Sequence, residues 1–307
     1  MITRFLNRRD LMFMEAFKSS PIKKTLLLLV LIAGSAVAWC GRAEAQGLYP
    51  TKVFPAGKEN SLSGAISLDH FDYKEKLDPP LKSEERGWVP GFHAELCRQG
   101  ASPSLFVRAA FDFTRANTTY DGSTQDSLGN ISPYLGTTQN TLLNASGVIG
   151  LTFLSLSNPP RVLTAYTGIG YRYWERTVAG TYQEHYAWRY APVGLRADYR
   201  LSSEFSGAVD ASARIMFGGT IDVFLSELSN GWSDLHLTLG NRPGFRVEAP
   251  LYYQHWIVTP WYEYSAIGQS NTERIYFQDG TPTRYEGYEP TSTTHQFGVN
   301  IGARITF

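Results

Sequence analysis

The last fourteen residues, THQFGVNIGARITF from Thr294 to Phe307, alternate strictly. Phe297, Val299, Ile301, Ala303, Ile305 and Phe307 share one parity, and Gln296, Gly298, Asn300, Gly302, Arg304 and Thr306 share the other. Side chains of a strand point alternately to opposite faces, so this segment has one wholly apolar face and one polar, glycine-rich face carrying an arginine. Such a strand needs two different surroundings. Either the apolar face packs in the core of a water-soluble sandwich, or it meets lipid while the polar face looks into a wet or charged lumen.

The same period recurs along the chain from Gln46 onward, with no helical period and no long apolar run. Ile66 and Leu68 mark a first segment, Phe92 to Leu96 a second, Leu105 to Phe113 a third, Leu143 to Phe153 a fourth and Leu163 to Tyr173 a fifth. Ala191 to Tyr199, Val209 to Phe217, Leu235 to Leu251 (long or broken) and Val258 to Tyr264 follow, and the C-terminal stretch is the tenth. The connections alternate. RQGASPS, SNPPR, LSSEFS and the turn near His255 are short, whereas the charged KEKLDPPLKSEER, the polar stretch 117–140, the segment ending near Ala187, Ser226 to Ser233 and the run through Pro290 are long. Short turns at one end and long loops at the other are the pattern of a transmembrane barrel, with both termini on the periplasmic side and the long loops outside the cell. The expected fold is therefore all-β, a ten-stranded antiparallel transmembrane barrel over residues 61–307, preceded by a periplasmic segment, 46–60.

Residues 1–45 read as a secretory signal peptide. Arg4, Arg8, Arg9, Lys18, Lys23 and Lys24 precede the apolar run TLLLLVLIAG, and two A-x-A sites end at Ala38 and Ala45. The run is too short for a membrane-spanning helix of about 20 residues. Cleavage after Ala45 removes Cys40 and leaves Cys97 alone, so no intramolecular disulfide forms and no Cys/His spacing calls for a metal or cofactor. The leader holds seven of the 28 basic and three of the 28 acidic residues. What remains is 21 basic against 25 acidic, a balance with no basic arm for nucleic acid.

If the apolar parity faces lipid, the other parity lines the lumen. It includes Arg108, Asp112, Arg172, Arg196, Asp198, Arg200, Asp210, Arg214, Glu263 and Arg304. Charge is costly in lipid, and both signs occur on neighbouring strands, so these residues belong inside where opposite partners satisfy one another. Ten strands lie between the eight that side chains can fill and the sixteen or more that leave a wide channel. A narrow, charge-lined interior is expected, with a selective pore as the alternative.

The ending with its terminal Phe307 resembles the C-terminal signal by which Gram-negative outer-membrane barrels are recognised for assembly. The resemblance implies outer-membrane location, lipid and lipopolysaccharide around the barrel, and contact with the barrel-assembly machinery through the last strand. RVLTAYTGIGYRYWERTVAGTYQ followed by WRYAPVGLRADYR is similar to a strand pair of the omptins, ten-stranded outer-membrane endopeptidases. Membership of that kind would imply an Asp/His couple opposite an Asp/Asp couple to activate water. This sequence departs there. Asp121 and Asp126 form no close acidic couple, and the seventh segment ends GGTIDVFL without histidine. Asp234 and His236 make a D-x-H on one strand face, and His185 stands beside Glu184 in what reads as a loop. The expectation is a non-enzymatic barrel with a structural, surface-interaction or narrow-pore role and an unidentified loop ligand. The alternatives are an omptin-like endopeptidase and a small-solute porin.

Overall fold

The computed structural model describes residues 59–99, 104–125, 130–155, 161–178, 180–202, 204–228 and 231–307. The expected leader and cleavage site, and Asp126, lie outside the described residues. The chain forms β1 (Glu59–Glu75), β2 (Ser83–Gln99), β3 (Ser104–Gln125), β4 (Ile131–Ser155), β5 (Arg161–Val178), β6 (Tyr182–Arg200) and β7 (Phe205–Val223). A 3-10 turn, Leu225–Glu227, leads to β8 (Leu235–Thr238), β9 (Pro243–Glu248) and β10 (Leu251–Tyr253). Then come β11 (Trp256–Ile267), β12 (Glu273–Tyr276), β13 (Pro282–Gly287) and β14 (Ser292–Thr306).

These make a closed antiparallel barrel of ten staves. Strands β1 to β7 pair in sequence, β8, β9 and β10 together form a broken eighth stave between β7 and β11, and β14 lies between β11 and β1. The seam is long: Leu62 pairs with Ile305, Ile66 with Ile301 and Leu68 with Val299, and the Phe307 amide donates to the Asn60 carbonyl at 2.9 Å. Closure leaves no open edge at membrane height, which lipid would not tolerate. The β12–β13 hairpin is a separate two-stranded ribbon in the last long connection.

The barrel is inside-out. Ile66, Leu195, Ile301 and Ile305 are 75%, 68%, 52% and 65% exposed on the outer face, whereas Ser67, Asp69, Arg172 and Asn300 on the inner face are at most 5% exposed. Period two decides which side each residue takes, and the apolar set is the one outside. Glycine on the inner face of β14 lets this strand lie close to β1. A Cβ at Gly302 would stand 2.0 Å from the Gly64 carbonyl oxygen.

Two expectations about loops are corrected. β1 and β2 run into the charged KEKLDPPLKSEER as far as Glu75 and from Ser83, and most of the polar stretch 117–140 is a hairpin, with Gln125 opposite Ile131. The strands continue past the apolar belt, where both faces carry polar side chains and the apolar–polar alternation disappears.

Candidate functional site

The lumen is filled in three levels. Nearest the termini, Arg108 from β3 donates to Asp210 of β7 at 2.7 Å, Tyr166 donates to the same carboxylate, and Arg196 donates to Asp198 (3.0 and 2.9 Å) and to the Tyr252 hydroxyl (2.9 Å). Gln99 of β2 reaches across to Asp198 at 3.3 Å. Arg304 lies over the Tyr252 ring, 4.3 Å from its centroid. Arg200, at the rim, is exposed and donates to the Ser202 carbonyl.

At mid-height, Glu263 of β11 is the hub. Arg172 from β5 bonds one of its oxygens, and Arg214 of β7 (2.8 Å) and Arg246 of β9 (3.2 Å) bond the other. Arg172 also donates to Gln296 of β14, five staves away around the ring and so diametrically opposite. Arg246 further pairs with Glu248 and stands 3.9 Å from Asp112, which accepts from Asn144 at 2.9 Å and pairs with His93 at 2.8 Å. Guanidinium groups lie over the rings of Trp188, Tyr190 and Trp261. The planar fork of arginine suits it to serve several carboxylates and a ring face at once.

The far level inverts this. Arg176 is the hub, with Glu85 on its Nε (3.0 Å) and Nη2, Glu184 on Nη1 (2.8 Å) and Glu75 at 3.8 Å. Its guanidinium stacks over Tyr73 and Trp174. Glu85 also accepts from Asn140 and Thr118, at 3.0 and 3.1 Å. A fourth carboxyl, Glu289, enters from the loop after β13 and accepts from Tyr186 (2.9 Å) and Tyr73 (3.2 Å). Burial and then the facing Glu75 and Glu184 push the Glu289 carboxyl well above its ordinary range, so it gives up its proton less readily than a free carboxyl.

Cavities of about 320 Å³ and 310 Å³ open at the two ends, the first beside Arg196, Asp198 and Tyr252, the second beside Arg176, Glu289 and apolar Leu235 and Leu237. Between them the described spaces shrink to about 30 and 20 Å³, room for a water molecule or so. Among the described residues no group of three or more His, Cys, Asp or Glu is arranged to hold a metal ion. Cys97 is buried with a free thiol.

The structure separates the residues picked from parity. Arg108, Asp210, Arg196 and Asp198 meet near the termini. Arg172, Arg214, Glu263 and Asp112 meet at mid-height, so Arg214 pairs away from Asp210, its neighbour on β7. Phe297, Val299, Ile301, Ala303, Ile305 and Phe307 lie on the outer face, with Phe307 70% exposed. The D-x-H reading is corrected: His236 pairs with Asp222, its register partner on β7, while Asp234 accepts the Ser226 amide at 2.9 Å. Both members of the pair are on the outer face, alternating with buried Ile221, Leu235 and Leu237. His185 sits in β6, not in a loop, beside Asp222 in register. Sequence reading did not place Glu85, Arg176, Glu184 or Arg246 in the lumen. Continued parity, Arg172 to Trp174 to Arg176, was the signal for one of them.

No protein-family model matches the chain, and no curated protein matches it. Solved structures do. The outer-membrane protease OmpT from Escherichia coli aligns over 82% of this chain and 98% of its own at 11% identity, with a TM-score of 0.48. OprG from Pseudomonas aeruginosa aligns over 82% and 96% at 11% identity, with a TM-score of 0.38, and the P. putida toluene transporter TodX over 81% and 90% at 9%, with 0.33. All are outer-membrane or transport barrels, and at these identities the likeness concerns fold alone. The class defined by closure, ten staves, an apolar exterior and a charged interior is the outer-membrane β-barrel.

Proposed function

We propose that this is a non-enzymatic barrel of a Gram-negative outer membrane, closed at mid-height, whose working surface is the rim far from the termini. The observation that carries the reading is the bond set of Arg172, which ties β5 to Glu263 of β11 and Gln296 of β14 across the lumen. A solute path there would have to break a buried ion-pair network, and nothing in its packing supplies an alternative partner. Against proteolysis stands the placement of the Asp222–His236 pair on the outer face, 45% and 69% exposed. The exterior fits lipid and lipopolysaccharide, and the aromatic-ended β14 fits recognition by the assembly machinery.

The protein is expected to fractionate with outer membranes and to migrate faster on gels before boiling than after. Refolded into planar bilayers it should give no discrete channel steps, and Arg196→Ala should lower its unfolding midpoint without opening a conductance. Conductance with a cation-shifted reversal potential in Arg196→Ala, at unchanged stability, would make the lumen a hydrated pore instead. Cleavage of basic peptides that vanished in His236→Ala would restore the endopeptidase.

A further inference from the structure

The rim is uneven. β3 and β4 continue as a paired hairpin to Gln125 and Ile131, but β4 pairs with β5 only as far as Gln139 opposite Thr177, because β5 ends at Val178 and the chain turns back through Gly180 (φ 69°). Residues 131–138 of β4 therefore stand above their neighbour. Among the described residues, their backbone is hydrogen-bonded only from β3, including Thr118 and Thr124 hydroxyls on the Thr138 and Ser132 carbonyls. In an antiparallel strand successive residues turn their N–H and C=O to opposite sides. Pro133, opposite Ser123 in the ladder, has no N–H for β3, so the odd-numbered residues face the free side. The amides of Leu135 and Thr137 and the carbonyls of residues 133, 135 and 137 form a ladder unused by any described residue.

Free edges are ordinarily guarded by charge. This one is not: from Ser127 to Pro160 the sequence contains no Asp, Glu, Lys or Arg. Leu135 is 74% exposed, and it shares the outward face with Pro133 and Ile131. We propose that the 131–138 edge of β4 is a docking site for an extended peptide segment of a partner protein, added as a strand antiparallel to β4 on the line of β5. Main-chain hydrogen bonds would supply the affinity, and the uncharged edge with its outward Leu135 selects a segment of about seven uncharged residues with apolar side chains at alternate positions. This surface is independent of the lumen network and of whether the barrel conducts.

The test uses the full chain refolded in detergent micelles and, as probe, a fluorescent, end-blocked octapeptide of alternating valine and threonine. Saturable binding is expected, with slowed hydrogen exchange at the Leu135 and Thr137 amides. The same peptide N-methylated at every residue should not bind. Thr137→Pro, which removes an edge donor and no bond to β3, should weaken binding about tenfold, whereas Leu135→Thr, which keeps the backbone donor and removes only the apolar side-chain contact, should weaken it less, by about threefold. Absence of saturable binding, equal binding of the methylated peptide, or indifference to Thr137→Pro would overturn the proposal. So would a concentration-dependent dimer that protects the same two amides and excludes the peptide, which would give the edge to a second copy of this chain.

Discussion

The middle and the far end of the lumen use the same residue types in inverse proportion. At mid-height one glutamate, Glu263, meets three arginines, Arg172, Arg214 and Arg246; at the far end one arginine, Arg176, meets three glutamates, Glu75, Glu85 and Glu184, with Glu289 held nearby by tyrosines. The two excesses are relieved differently. Arginine keeps its charge at any biological pH, so the middle depends on further acceptors, Glu248, Asp112 and Gln296, and on ring faces. Carboxyls can take up protons, so the far end settles part of its excess by protonation. The far end should therefore respond to mild pH change.

The largest effect is expected from Glu263→Ala. Three buried guanidinium groups then lose their shared acceptor, and the loss should be ~3–5 kcal/mol in urea unfolding from lipid vesicles at pH 8. A negligible loss would show that the remaining acceptors hold the middle without its hub. Arg176→Met comes next, costing about 3 kcal/mol at pH 8, where its glutamates are left unpaired, and clearly less at pH 5, where protons replace the lost cation. An equal deficit at both pH values would show that the far cluster is not relieved by protonation.

Glu289→Gln isolates one carboxyl. The folded protein retains this proton above the ordinary value of 4.5, where the unfolded chain has released it. The native state thus binds more protons, so stability is full below about that pH and falls as pH rises toward the folded-state value. Glutamine keeps an acceptor for Tyr73 and Tyr186 but cannot ionise, so it should flatten this decline and leave the variant about 1 kcal/mol more stable than the parent at alkaline pH. A variant with the parental slope would assign the decline to another group. The smallest effect is that of His236→Ala, because the Asp222–His236 pair is exposed and outside the lumen. A change within ~0.5 kcal/mol is expected, and a larger one would mean that the outer pair supports the far level through β7.

Much of the architecture was legible because lipid and lumen enforce alternation. Ile66, Leu195 and Ile301 betray their strands by parity, and the mixed-sign residues Arg172 and Glu263 fall on the inner face by the same rule. Where that contrast ends, legibility ends. Ser83 to Arg86 pairs with 119–122 of β3 yet reads as loop, because above the apolar belt the outer face is wet and the buried inner face is itself polar, so apolar residues no longer alternate with polar ones. Glu85, Arg176 and Glu184, which build the far level, were missed for that reason.

The sequence by itself determined that the chain alternates, where its staves lie within the apolar belt, and which side of each stave faces inward, since these follow from a two-residue period read against two solvents. Only the tertiary structure decided which charges meet. Arg172 finds Glu263 and Gln296, 91 and 124 positions away, and His236 finds Asp222 rather than Asp234. Ring closure and cross-strand register bring those groups within reach of one another, and neither is encoded in the spacing of any single segment.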